Sequence, residues 1–329
     1  MQKMIVLALS LISSSGYALS FSHLDWEMAC DNTHTCRMAG YQADTTAPVS
    51  ILLSYPAGTE AQLTGRVQLL DAPPQAYLTL NAQPYGVLQF HNNQADLTAK
   101  QLQQLLVTAR KNTRIELRHA TTTWRVSDRG LTAVLLKADE YQKRVGTNSA
   151  LLAKGIKSSR QVRRALALPS SRIHNYRRAK AQHYALNSKQ AKALAPRLKQ
   201  ATNSEDCPLL WQTQQQTDNQ LSIYPINAKQ VLVERPCWQA AYNFGAGMWL
   251  MDKNLSTVQQ LVTTSGTSFS AGQIFSYQKG RGLGDCLSID EWAFTGQRFK
   301  PSYRAVSLQC KGFQGGAWKL PTLITQVSH

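Results

Sequence analysis

Residues 154–199 read KGIKSSRQVRRALALPSSRIHNYRRAKAQHYALNSKQAKALAPRLK, without an acidic residue, a cysteine or a tryptophan. This stretch sets the expected organisation of the chain. Residues 1–150 carry 13 Lys and Arg against 11 Asp and Glu, and residues 201–329 carry 10 against 8, so both flanks are near neutrality. Residues 151–200 carry 13 cations and no anion, which is most of the net charge of +17. Pro169 and Pro196 interrupt the run. A stretch this poor in large apolar side chains buries too little surface to offset the entropy of ordering it. The pattern predicts a basic linker over 149–203, disordered or partly helical within Ser170 to Ala195. It separates an N-terminal domain at 21–148 from a C-terminal domain at 204–329.

Outward from the linker, the start of the chain reads as a signal peptide over 1–20. Lys3 precedes an apolar run from Met4 to Ile12, and small and polar residues follow up to Gly16-Tyr17-Ala18. Cleavage is expected after Ala18 or after Ser20. No later run approaches the roughly 20 apolar residues of a membrane helix, so a soluble periplasmic or secreted protein is expected. In an oxidising compartment six cysteines read as three bridges. Cys30 and Cys36 close a short self-contained loop and pair first. The other four admit more than one connectivity, of which Cys207 with Cys237 and Cys286 with Cys310 is preferred. Neither a CxxC nor a Cys/His pair with metal-ligand spacing occurs, so neither metal nor cofactor is expected.

The expected fold class is α+β, mostly β: an N-terminal β domain with two helices and a C-terminal domain that is nearly all β, each stapled by disulfides. Strand-like runs lie at Val49 to Ser54, Arg66 to Leu70, Ala76 to Leu80, Val87 to Phe90 and Arg114 to Arg118. Thr98 followed by Gln101 matches a capping box, with Leu102, Leu105, Leu106 and Ala109 on one helical face and Arg110 and Lys111 at its end. A second helix from about Leu131 places Val134, Leu135, Ala138 and Val145 together. Beyond the linker, short runs at Leu221 to Tyr224, Gln230 to Glu234, Met248 to Met251, Val258 to Thr263, Gln273 to Tyr277 and Trp318 to Ile324 suit a sandwich, a barrel or a propeller-like sheet.

Catalytic signatures are absent: the chain has no GxSxG, HExxH, Walker or EF-hand pattern. The Ser276-Tyr277-Gln278-Lys279 match to SxxK falls at a strand end, where that chemistry needs a helix. The densest local signal is Lys279-Gly280-Arg281-Gly282-Leu283-Gly284-Asp285-Cys286. Alternate glycines can turn amides toward an anion, with Lys279 and Arg281 adding charge. The competing reading is a tight turn into a disulfide, with Asp285 satisfying turn amides. Asp285, Asp290, Glu291 and Trp292 complete a candidate ligand site. Trp238, Tyr242, Phe244 and Trp249 either join it as sugar-stacking rings or belong to the core.

The basic linker carries candidate anion-binding residues Arg160, Arg163, Arg164, Arg177, Arg178 and Lys180. As a solvated face they need no ligand. As a functional surface they attract the phosphates of an anionic envelope polymer, lipopolysaccharide or a membrane surface. Nucleic acid is not an expected partner, since no recognition signature appears and export separates the two.

Asp25-Trp26-Glu27-Met28-Ala29-Cys30-Asp31-Asn32-Thr33, Cys36, Ala39-Gly40-Tyr41-Gln42, the six-cysteine layout and the Lys279 to Cys286 loop followed by Glu291-Trp292 and Gly296 resemble the bacterial family called domain of unknown function 1176. The resemblance covers both halves and leaves the basic linker outside it. It implies an exported protein whose family cysteines match Cys30, Cys36, Cys207, Cys237, Cys286 and Cys310, and it implies no reaction. The N-terminal half is also similar to the invasion-associated locus B proteins, which implies an envelope role. The expected function is non-catalytic binding of an anionic or glycan envelope component through the linker and the C-terminal domain. The alternative is an enzyme acting on cell-wall or surface polymer, with Asp285, Glu291 and Lys279 as its candidates.

Overall fold

In the computed structural model, which describes residues 18–44, 47–212 and 220–329, the N-terminal half is organised around β2 (Trp26–Cys30), a strand buried along its whole length. It lies between β1 (Leu19–His23) and β3 (Cys36–Tyr41), and Cys30 and Cys36 face each other across the hairpin as a disulfide. Asp31 shapes the turn: its carboxylate accepts from the Thr33 amide at 2.8 Å and the Thr33 hydroxyl at 2.6 Å and pairs with Arg37. Gly40 is required opposite Trp26, because a β-carbon there would sit 2.1 Å from the indole. The sheet continues through β4 (Val49–Tyr55) and β5 (Thr64–Leu69) to β8 (Gln94–Asp96), which follows β6 (Gln75–Leu80) and β7 (Gln83–Gln89) in the chain.

A second sheet, ordered β10-β9-β6-β7, adds β9 (Ile115–His119) and β10 (Thr122–Val126). The two expected helices are α1 (Ala99–Thr108) and α2 (Leu131–Tyr141). The Thr98–Gln101 capping box forms in both directions. Arg110 does not close α1 as expected; it lies past the helix end and donates to the Leu152 carbonyl at 2.8 Å. Val145 likewise lies beyond α2 and is exposed. The helices and both sheets share one apolar core, from Trp26 and Met28 to Leu135 and Ala138.

The segment expected to be a linker is instead laid down along the protein. Its first part docks on the N-terminal half, where the Arg163 carbonyl accepts from Gly58 and the Leu166 amide donates to Thr33. Then follow β11 (Ser170–Arg172), β12 (Gln182–Ala185) and α3 (Lys189–Gln200). The helix is at 189–200 rather than within 170–195. Ser188 caps it, and Pro196 sits inside it, losing one backbone hydrogen bond. The compositional argument treats the segment as if it had to bury its own core. Here Ala191, Leu194 and Leu198, spaced for one helix face, are buried on a sheet supplied by other residues.

That sheet is antiparallel and runs β12-β13-β14-β15-β16, with β13 (Gln220–Pro225), β14 (Gln230–Gln239), β15 (Phe244–Asp252) and β16 (Val258–Gly266). One face takes α3 together with the Cys207–Cys237 disulfide. The opposite face presents Leu232, Met248 and Leu250 to Ile274, Phe294 and Phe299 of a second sheet. The second sheet is ordered β17-β18-β19-β20-β21: β17 (Ser268–Ser270), β18 (Gln273–Lys279), β19 (Leu287–Phe294), β20 (Phe299–Val306) and β21 (Pro321–Ile324). Of the three architectures expected, this is the sandwich. Finally β22 (Gln326–Ser328) pairs in parallel with β11.

The halves meet across a buried interface. Phe313, Ala317, Trp318 and Leu320 pack on Ala29, Ala39, Tyr41 and Leu52. The buried Glu27 carboxylate accepts from the Leu308 amide at 2.6 Å, the Tyr41 hydroxyl at 2.7 Å and the Ser307 hydroxyl at 3.2 Å. Asn32 exchanges two hydrogen bonds with the backbone of Ile324, and Lys311 pairs with Asp25. The expected signal peptide falls mainly on residues 1–17, outside the described residues, although β1 already begins at Leu19.

Glu27→Ala strands the Leu308 amide and the Tyr41 hydroxyl in this interface, and a loss of about 2–4 kcal/mol in urea unfolding is expected. Burial raises the Glu27 carboxyl above its usual range, against the hydrogen bonds that lower it. The native state therefore holds that proton more tightly than the unfolded chain. Stability contributed by Glu27 should fall as pH rises through the raised value, and Glu27→Gln should lack that fall.

Candidate functional site

The glycine-rich loop is built as a turn into a disulfide. The Gly280 amide donates to the Cys286 carbonyl, and a β-carbon at Gly280 would lie 2.6 Å from the Cys286 sulfur. Of its three glycines only Gly284 has a positive φ, +68°. Asp285 is buried and saturated: Arg281 grips both carboxylate oxygens, and the Gly312 amide donates at 2.6 Å. The Arg281 fork, against the effect of burial, holds the Asp285 carboxyl below its usual range. Asp285, Cys286 and Cys310 lie close together, but the two sulfurs form the third disulfide and are not thiolate ligands.

The other carboxylates do not join Asp285. Asp290 pairs with Arg304 at 2.5 Å, and Glu291 accepts from the Tyr277 hydroxyl at 3.1 Å. Burial first, and then Glu291, push the Tyr277 hydroxyl up to about 12. As strand neighbours, Asp290 and Glu291 point to opposite faces. Lys279 is exposed, and its backbone exchanges two hydrogen bonds with the Asn243 side chain. The aromatic residues divide. Trp249 is fully buried, with its indole N–H on the Thr202 hydroxyl at 2.9 Å. Trp238 and Trp292 are half-buried against the core, whereas Tyr242 and Phe244 are exposed.

The six basic candidates do not form one patch-wide unit. Arg163 is structural, donating to the Tyr141 carbonyl and lying 4.7 Å over its ring. Arg160, Arg164, Arg178 and Lys180 are exposed. Arg177 is placed differently. Its amide donates to the Ile226 carbonyl at 2.9 Å, pinning the segment beside the β13–β14 turn, and it lines a cleft of about 510 Å³ with Lys229. The remaining lining is amide-rich: Asn175, Asn227, Gln230, Gln259 and Gln297. These amides are pre-arranged, because Gln230 donates to Gln259 at 2.6 Å and to the Gln297 carbonyl at 2.9 Å while accepting from Asn227.

Asn227 also lines a second cleft, of about 460 Å³, formed by β12, α3 and the sheet beneath them. Arg197 and Lys253 are its cations, and Tyr184 supplies an aromatic wall. Among the described residues no carboxylate lines either cleft. The two clefts meet only at Asn227 and open on opposite faces of the sheet, as the alternation of Gln230 and Val231 along β14 requires, and each offers N–H donors, amide oxygens and positive charge, a set suited to anionic groups and sugar hydroxyls. Sequence reasoning picked out Arg177 and missed Lys229, Arg197 and Lys253. The usable signal was in the turns: Asn227-Ala228-Lys229 and Lys253-Asn254 are basic, polar tips of a sheet whose neighbouring segment is itself free of acid.

The family model described as "Protein of unknown function (DUF1176)" matches residues 20–325. The Uncharacterized protein YpfG of Escherichia coli (strain K12) is 25% identical over 357 residues, covering 97% of this chain and 95% of its own. The crystal structure of invasion associated protein b from Bartonella henselae aligns with a TM-score of 0.27 at 13% identity, covering 38% of this chain and 99% of that one. At that score the likeness carries no argument.

Arg281→Ala leaves the buried Asp285 carboxylate with the Gly312 amide but no cation. Because Arg281 is itself half exposed, solvent screening limits the effect, and a lowered denaturant midpoint is expected. The depressed Asp285 carboxyl stabilises the parent above the usual aspartate range, and that contribution is lost as pH falls through the depressed value. Acid titrations of the two proteins should therefore converge.

Proposed function

Since the chain belongs to the DUF1176 family, whose description assigns no activity, we propose from its own surface that it is a non-catalytic binding protein of the cell envelope that takes an anionic glycan component. The observation that carries this reading is the pair of clefts in which Arg177 and Lys229, and Arg197 and Lys253, stand among amides with no lining carboxylate among the described residues. Cations without neighbouring anions attract phosphate or carboxylate groups over several ångströms. Side-chain amides match the donor and acceptor pattern of sugar hydroxyls.

Three disulfides suit an oxidising, exported location, and no helix among the described residues is long and apolar enough to cross a membrane. The polymer-cleaving alternative draws no support from its candidates, since Asp285 and Glu291 are held by separate partners and Lys279 joins neither. Cleavage after Ala18 is the processing that leaves β1 whole. N-terminal sequencing of exported protein should begin at Leu19.

The binding test uses the oxidised mature protein on isolated envelope fractions at low and high salt. Deleting residues 151–200 is unsuitable, because it removes β12 and α3 from a packed sheet. Arg177→Ala with Lys229→Ala alters exposed side chains only. Retention should weaken about tenfold at low salt, as expected for two lost charge-assisted contacts. Retention that ignores both salt and the double substitution sinks the reading.

A further inference from the structure

A second constellation of charge lies in the N-terminal half. Glu116, in β9, is fully buried, and three arginines meet at its carboxylate. Arg114 Nε donates at 2.5 Å and Arg118 Nη2 at 2.7 Å, while Arg125 donates through Nε at 3.1 Å and Nη2 at 2.8 Å. Burial alone would push the carboxyl up, but the hydrogen bonds from Arg118, Arg125 and Arg114 outweigh it and bring it down to about 2. One bidentate arginine neutralises a carboxylate, so three leave this cluster with an excess of positive charge. The three side chains are 54%, 50% and 58% exposed. A guanidinium carries five N–H donors, and Glu116 takes only one from Arg114 and two from Arg125.

Arg114 and Arg125 both line a cleft of about 690 Å³, together with Arg129, Asn81 and Asn112. Its floor is rigid, because Asn81 accepts from the Arg114 amide at 2.7 Å and the Glu116 anchor fixes both guanidiniums. Asp44 and Asp128 line the same cleft, and Asp128 accepts from the Thr113 amide at 2.6 Å. Those carboxylates disfavour a long polyanion. A planar carboxylate is satisfied by a single guanidinium fork. Two forks beside a third arginine suit a tetrahedral dianion.

We propose that this cleft binds a compact phosphate-monoester dianion, gripped by Arg114 and Arg125, with Arg129 and Asn112 as further donors. The site is separate in the chain from the clefts of the proposed function, and either can fail without the other.

The test is calorimetric titration of the oxidised mature protein with inorganic phosphate and with a hexose phosphate, using the unphosphorylated hexose as control. Substituting Arg125 by Ala risks the fold, because it removes a partner of buried Glu116. The deciding variant is therefore Arg129→Ala with Asn112→Asp, which leaves the Glu116 cluster whole and places an anion in the cleft. Both phosphates should bind, and this variant should bind them about tenfold more weakly or not at all, with unchanged thermal melting. Arg177→Ala with Lys229→Ala should leave phosphate binding as in the parent. If the deciding variant melts lower, Asn112→Asp alone replaces it. Absence of phosphate binding by the parent at millimolar concentration overturns the proposal, as does equal binding by the cleft variant.

Discussion

A buried carboxylate holds the two halves of this protein in one arrangement. Glu27, the second residue of β2, is the acceptor for an amide and a hydroxyl at 307–308 and for Tyr41 of the neighbouring strand. An unpartnered buried carboxylate is strongly unfavourable, so the C-terminal segment is needed where it lies. Asp25, Asn32 and Gln42 add further hydrogen bonds to Lys311 and Ile324, and Trp318 reaches Ser50. The polar residues of the Asp25 to Gln42 motif thus act as a socket, while its apolar residues serve the core.

From that contact the rest follows in layers. The C-terminal segment leaves the second sandwich sheet at β20, crosses the N-terminal sheet through Phe313 and Trp318, and returns as β21. The Cys286–Cys310 disulfide and the Arg281–Asp285 fork sit at the start of this excursion. The glycine-rich loop is therefore best understood as the bracket of the docking segment. The charges of Arg281 and Asp285 are spent on each other, and Lys279 alone stays at the surface.

The basic segment has the opposite character. Its backbone and a few small apolar residues are consumed by packing, while most of its cations remain at the surface. Laid against a sheet whose turns are also basic, it completes two clefts that neither part makes alone and that no carboxylate among the described residues lines. In the N-terminal half charge is handled differently, with three guanidiniums converging on one buried carboxylate. Both arrangements leave donors facing solvent-filled clefts.

Local signals in the sequence determined the disulfide of the Cys30 hairpin, the capped α1 and strands such as β4, β5, β6 and β9, though not β1 to β3, because each rests on neighbours a few residues apart. The helices α1 and α2 and the β-rich class were legible for that reason. β19 and β20 were not, since Leu287 to Phe294 and Phe299 to Val306 mix charged, aromatic and proline residues, and only pairing with β18 and β21 makes them strands. Composition marked the basic segment as unusual but misjudged its state, because it counts the apolar surface a segment carries and not the surface its neighbours can cover. The Glu116 cluster is local, with Arg114 and Arg118 two residues to either side and Arg125 across the β9–β10 hairpin, whereas the clefts of the C-terminal half and the Glu27 socket were decided by tertiary structure alone. Each joins side chains from different strands or different halves, and long-range contact of that kind leaves no spacing pattern in a single chain.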